Sequence, residues 1–221
     1  IHKVSGVPSF RLVEILRKRT GVAIIGHAGT LDPFATGVMI LLIDREYTRL
    51  SDRFLTSDKQ YRATVRLGQT TDTFDRDGQV TSTSEKVPTL EELQKALLSF
   101  QGECMQIPPM FSAKKIGGKR CYALARKGIL VERAPVCVRI ETTLLSYVYP
   151  FVELDISCSK GTYIRSLAYD LGQILGCGGM LDALTRTRVG PFLLSDCVDQ
   201  VHLSDPAFDL TPFLRNSLGA Q

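Results

Sequence analysis

Two runs of strand-forming residues, 135–146 and 151–158, stand either side of a turn near Pro150. The connection is too short for a crossover, so the pair must fold back as an antiparallel hairpin. "QYRATVRL" at 60–67 alternates as a half-buried strand does, with Arg62 and Arg66 on the face of Gln60 and Thr64, and Tyr61 on the other. Three helices are expected around these strands. Ser9 is placed to cap one over 10–20, with Leu12, Val13, Ile15 and Leu16 inward and Gly21 as its stop. Thr89 and Glu92 form a capping box for a second over 89–100, burying Leu90, Leu93, Leu97 and Phe100. The third, over 162–175, carries Ile164, Leu167, Ala168, Leu171, Ile174 and Leu175 on its apolar side, with Arg165 in its first turn. Hairpin-like strands mixed with helices specify an α+β fold on a mixed, largely antiparallel sheet. With 44% hydrophobic residues there is material for a core.

Several function classes are disfavoured. No apolar run reaches the roughly 20 residues that span a bilayer, so no membrane role and a cytoplasmic address are expected. Six cysteines lie far apart without a C-x-x-C pair, and two of the three histidines, His2 and His202, sit near the ends; neither a zinc site nor a disulfide framework is expected. The net charge of +4 is too mild to identify a partner, but "SAKKIGGKR" at 112–120 concentrates four cations. It lies in a Pro- and Gly-punctuated stretch, 106–134, read as an irregular insertion with a short helix near 119–127. "RKR" at 17–19 is explained by the helix C-terminus before Gly21.

Three motifs fail on inspection. Asp75-Arg76-Asp77-Gly78 resembles part of a calcium loop, but that register leaves Ser84 where a bidentate Glu belongs. Ser112-Ala113-Lys114-Lys115 matches S-x-x-K without the accompanying motifs. "GCGGM" at 176–180 follows a helix and lacks dinucleotide-fingerprint spacing. No nucleotide, metal or redox cofactor is expected.

"GHAGTLDPFATG" at 26–37 places Asp32 just before Pro33, among three glycines and two threonines, between two apolar runs. Turn chemistry accounts for Gly, Pro and Asp in such a loop. A rigid mount for a nucleophilic carboxylate accounts for them equally well.

Four ordered segments decide between the two. "GHAGTLDPFATGV", "DKQYRATVRLGQTTDTFDRDG", "PPMFSAKKIGGKRCYALARKGI" and "CSKGTYIRSLAYDLG" resemble the signature loop, tyrosine strand, thumb and arginine helix of the TruB-type pseudouridine synthases. The resemblance implies the pseudouridine synthase fold over 1–221 as one catalytic domain, with a basic thumb inserted at about 106–134. It implies Asp32, Tyr61 and Arg165 as the catalytic set, His27, Tyr163 and Leu184 around the target uridine, and Asp75 in the network that holds the loops at that site. Lys114, Lys115, Lys119 and Arg120 are then expected on RNA phosphates. Converting uridine to pseudouridine breaks a C1′–N1 bond and makes a C1′–C5 bond on the same trapped base, so one ionised carboxylate can do the covalent work. An arginine beside it would keep it ionised, and a tyrosine could stack on the flipped base. The implied substrate is uridine 55 in the TΨC loop of tRNA, handled by a monomer without a protein partner.

Two departures accompany the match. The family's K-P-x-G-x-T-S edge reads Lys3-Val4-Ser5-Gly6-Val7-Pro8-Ser9 and touches no position of the implied catalytic set. After "RTRVGPF" at 186–192 too few residues follow for a PUA domain, so none is expected. The competing readings are a guide-RNA-dependent synthase of the dyskerin type and a non-catalytic tRNA-folding factor on the same scaffold.

Overall fold

The computed structural model describes residues 1–112, 115–116, 119–120, 129 and 131–215. They form two compact units: Ile1–Lys59 with the chain from Thr185 onward, and Gln60–Leu184. Among the described residues no helix is long and apolar enough to cross a membrane.

In the first unit the helix Ser9–Thr20 buries Leu12, Val13 and Leu16 and ends at Gly21, which adopts φ 72°. Ile15 is only half-buried. The cap differs from expectation. Pro8 occupies the N-cap, and the Ser9 hydroxyl is spent on Leu31, donating to its carbonyl (2.8 Å) and accepting from its amide (3.0 Å). The cluster at 17–19 does more than complement a helix end. Arg17 Nη2 donates to the Ile25 carbonyl at 2.8 Å, and Arg19 reaches the carbonyls of His202 (2.7 Å) and Phe208. Strands Ile25–Ala28 and Ile40–Ile43 pair antiparallel, with Ile25 opposite Ile43 and Ala28 opposite Ile40. Ala28, Leu42 and Phe54 form a core against Tyr47 and Phe192. Strand Thr36–Val38 runs antiparallel to His2–Lys3 and parallel to Thr185–Arg186, so the sheet is mixed.

In the second unit the strand order is 59–67, 151–158, 136–148, 102–106. Gln60 Nε2 donates to Ser157 Oγ (3.1 Å) while the Leu67 amide donates to the Pro150 carbonyl (2.8 Å), so the first two strands run antiparallel. The hairpin pairs Leu144 with Leu154 and Ile140 with Cys158. Alternation along 59–67 holds: Tyr61, Ala63, Val65 and Leu67 are buried, and Arg62 is exposed. Helix Leu90–Leu98 starts at the expected Thr89–Glu92 capping box. Helix Ile164–Leu175 buries Ile164, Leu167, Ala168, Leu171 and Leu175. Leu90 (49% exposed) and Ile174 (55%) carry the apolar period but lie at the rims of their buried stripes, contrary to expectation.

The glycine-rich turn after that helix has a packing role. A Cβ on Gly172 would come within 2.0 Å of the Gly179 amide nitrogen, so the helix and the following strand, Gly179–Val189, touch backbone to backbone. In the insertion, Lys115–Ile116 and Lys119–Arg120 pair as a small antiparallel hairpin. The helix expected near 119–127 therefore does not begin at 119, and its remainder lies outside the described residues.

Candidate active site

The Asp32 loop leaves strand Ile25–Ala28 at Gly29, which takes φ 85°, and ends on strand Thr36–Val38, where Gly37 takes φ 110°. Between them, Asp32 to Ala35 closes a turn: the Ala35 amide donates to the Asp32 carbonyl at 3.1 Å, and Pro33 fills the second position, where its fixed φ suits the turn. The Asp32 carboxylate therefore sits at the head of a backbone-bonded turn.

Two buried cations hold this loop, and sequence reasoning assigned a role to neither. Lys3 is fully buried, and its ammonium donates to the carbonyls of Val4 (3.1 Å), Pro33 (3.0 Å) and Ala35 (2.6 Å). Three carbonyls match its three donors, and the residue read as a departure edge thus grips the Asp32 turn itself. Burial pushes the Lys3 pKa down to about 8; the negative charge of Asp32 opposes that shift and Arg186 adds to it. Arg186, almost fully buried, donates from Nε to the Val38 carbonyl (2.8 Å) and from Nη2 to the Gly29 carbonyl (3.0 Å). The only sequence signal for Lys3 was its match to the first position of the family edge. Arg186 had none beyond its place in "RTRVGPF".

His27 lies on the strand that enters the loop, half-buried. Its Nδ1 is buried without a hydrogen-bond partner among the described residues. Burial first, then the charge of Arg186, holds its pKa below the ordinary histidine value, so the ring is neutral at neutral pH.

The second unit contains the other implied residues. Tyr61 is buried on the inward face of its strand, and Leu184 is buried on the strand Gly179–Val189. Arg165 is buried in the first turn of its helix. Its Nη1 donates to the Thr73 carbonyl (3.0 Å) and lies 3.4 Å from Asp75 Oδ2, while Nη2 donates to the Phe111 carbonyl (2.7 Å). Asp75 Oδ1 accepts from the Thr73 hydroxyl (2.6 Å) and the Asp77 amide (3.1 Å). Asp75 thus orients Arg165 and closes its own turn, the turn that had mimicked a calcium loop. Phe74, between them, takes φ 64° and stacks on Tyr169 with ring centroids 4.0 Å apart. A bulky side chain in the left-handed region is strained, and this stack opposes the strain.

Tyr163 precedes the arginine helix. Its amide donates to Gln106 Oε1 (2.7 Å), and its carbonyl accepts from Gln106 Nε2 (3.0 Å). The Ser166 hydroxyl donates to the Ile107 carbonyl at 2.8 Å. The first residues of the basic insertion, 106–111, are therefore stitched to the start of the arginine helix. Lys115, Lys119 and Arg120 belong to the small hairpin, and Lys114 lies outside the described residues.

Comparison with known proteins places the chain in a family. Residues 17–164 match the model of the TruB family pseudouridylate synthase N-terminal domain, and 165–211 that of the tRNA pseudouridylate synthase B C-terminal domain. A relative from Protochlamydia amoebophila, named tRNA pseudouridine synthase B, is 60% identical over 90% of this chain and 76% of its own length. A relative of the same name from Chlamydia muridarum is 51% identical over 99% of this chain and 91% of its own. Among solved structures, a Cbf5-Nop10-Gar1 complex matches with TM-score 0.69 and 26% identity, over 96% of this chain and 56% of that one. The archaeal box H/ACA sRNP Nop10-Cbf5 complex matches with TM-score 0.67 and 24% identity, over 92% of this chain and 51% of that one. The α+β fold expected from the sequence is thus the fold of pseudouridine synthases, and the chain, an isomerase, belongs to the TruB family of pseudouridylate synthases.

Proposed function

We propose that this chain isomerises uridine to pseudouridine at position 55 in the TΨC loop of tRNA, with Asp32 as nucleophile. The observation that carries the reading is the Asp32 turn: a carboxylate at the head of a short backbone-bonded turn, fastened from inside by Lys3 and at its ends by Arg186. A covalent catalyst needs its reacting atom held still, because a misplacement of about 1 Å costs on the order of a hundredfold in rate. The tRNA substrate rests on the names of relatives 49–60% identical to this chain. The nucleotide position rests on the family resemblance.

Tyr61 stacks on the flipped base, and Arg165 acts with Asp32 in the catalytic set. His27, Tyr163 and Leu184 line the uridine pocket, and Asp75 holds Arg165 in place. Lys114, Lys115, Lys119 and Arg120 take phosphates as the thumb, about 106–134, closes on the stem-loop. Residues 1–221 act as one catalytic domain, a monomer that needs no protein partner.

The guided reading has one observation in its favour, the likeness to Cbf5 chains, at 24–26% identity. The relatives at 49–60% favour direct action on tRNA. Tritium release from unmodified tRNA labelled at uridine C5 tests both. Wild-type chain alone should release tritium and Asp32→Asn essentially none. Equal release by the two would remove Asp32 from the mechanism, and an inert wild type that still binds tRNA would favour the folding-factor or guided reading. Reverse-transcription mapping of the product checks position 55.

A further inference from the structure

Arg186 is absent from the residues implied by the family resemblance, yet it is one of the largest fully buried side chains. Removing a guanidinium from water is costly unless its donors are matched. Among the described residues no carboxylate lies within ion-pair distance of it. Its donors go to main chain instead: Nε to Val38 and Nη2 to Gly29, with the Met39 sulfur 3.9 Å from Nη2.

Gly29 and Val38 are the two ends of the Asp32 loop. One planar group with a fixed fork of donors therefore spans the mouth of that loop, where a rotatable ammonium would hold the two ends less rigidly. The main chain of Arg186 serves the same end. It pairs with Gly37, and a Cβ on Gly37 would come within 2.2 Å of the Arg186 carbonyl oxygen. Within the loop, Ser9 grips Leu31 and Lys3 grips Pro33 and Ala35. Asp32 lies between these anchors, so the staple at the mouth decides how the anchored loop sits on its strands.

We propose that Arg186 is a positioning residue for Asp32, acting through the main chain: its guanidinium holds Gly29 and Val38 at a fixed separation and so sets where the loop delivers the carboxylate. This rests on the reading of Asp32 as nucleophile. An arginine that merely stabilised the unit would alter melting and leave the chemical step of the folded protein unchanged.

The test uses the full chain and unmodified tRNA tritiated at uridine C5, with enzyme in excess, so that the chemical step is read apart from binding. Arg186→Lys keeps the charge but replaces the fixed fork with a rotatable ammonium. It should lower the single-turnover rate on the order of a hundredfold, leave tRNA affinity by filter binding unchanged, and keep the shape of the pH–rate profile. Gly29→Ala disturbs the same staple from the other side, since its Cβ would lie 3.4 Å from Arg186 Nη1 at φ +85°. The double variant should lose no more than the worse single variant, because both remove one restraint. A wild-type single-turnover rate in Arg186→Lys overturns the proposal, as do losses that multiply in the double variant or that follow affinity. Should Arg186→Lys fail to fold, Gly29→Ala alone decides: a slowed chemical step with intact binding supports the staple, and an unchanged one overturns it. If Asp32→Asn releases tritium as wild type does, the nucleophile reading falls and this inference with it. An active wild type, an inert Asp32→Asn and a fully active Arg186→Lys would overturn this inference alone.

Discussion

Arg165 Nη1 lies 3.4 Å from Asp75 Oδ2, and both side chains are buried. The pair closes a network, because the Thr73 carbonyl accepts from the same Nη1 (3.0 Å) and the Thr73 hydroxyl donates to Asp75 Oδ1 (2.6 Å). Asp75→Ala removes a buried carboxylate that holds the Arg165 guanidinium and should destabilise the chain by roughly 3 kcal/mol. Urea unfolding should show a lowered midpoint at an unchanged slope. Asp75→Asn keeps an acceptor for Thr73 and Asp77 and should lose less. An Asp75→Ala variant as stable as wild type would show that the pair contributes nothing.

Lys3 makes a prediction with a definite sign. Its folded pKa is about 8 against an ordinary 10.5, so the unfolded chain binds more protons between those values. The stability contribution is therefore fully present above the unfolded pKa and lost as pH falls through the folded one. Wild type should gain stability relative to Lys3→Met as pH rises from 8 to 10.5, and the difference should be flat below that window. Chemical denaturation across the range checks it. Lys3→Met also leaves the Pro33 and Ala35 carbonyls without their donor, so its single-turnover rate on tRNA should fall.

What was legible in the sequence was local. The period-2 burial of 59–67, the Thr89–Glu92 capping box and the Gly21 stop each depend on residues a few positions apart. The Asp32 turn was legible for the same reason, since Asp, Pro and Gly act on their own backbone. Lys3 and Arg186 were not, because their partners are carbonyls, and carbonyls carry no residue identity. A buried lysine that bonds Pro33 leaves no pattern in the side chains around it. Ser9 shows the reverse failure: a good capping residue whose hydroxyl was drawn away by Leu31. The strand Gly179–Val189 was hidden behind "GCGGM", whose glycines serve a close backbone approach.

That approach can be tested with two alanines. Gly172 is helical, where alanine is ordinarily better by about 1 kcal/mol. Its Cβ, however, would meet the Gly179 nitrogen at 2.0 Å and the Gly178 carbonyl carbon at 2.2 Å, both main chain and unable to swing aside. The clash should win, and Gly172→Ala should destabilise by roughly 2 kcal/mol net. Gly21→Ala is the control: nothing lies within 4 Å of its Cβ, but φ is +72°. It should lose only the left-handed penalty, about 1 kcal/mol. If the two variants melt alike, the helix and strand are looser than the structure places them.

Asp170, on the same helix, tests the cost of a half-buried carboxylate. Burial alone raises its pKa from 3.8 to about 6. Because the folded pKa is the higher one, the folded chain binds the extra proton between those values, and stability falls as pH rises through them. At pH 7 the carboxylate is ionised in both states, so the full cost of keeping the charge half-buried is present. Asp170→Asn removes the charge at nearly constant shape. The variant should therefore be more stable than wild type at pH 7, with the advantage shrinking as pH drops through 6 and vanishing below about 4, where both side chains are neutral. Urea unfolding of the two proteins at pH 4, 5, 6 and 7 gives the comparison directly. A difference that does not change with pH would mean that the variant acts through hydrogen bonding or packing, and that Asp170 is not the group that titrates.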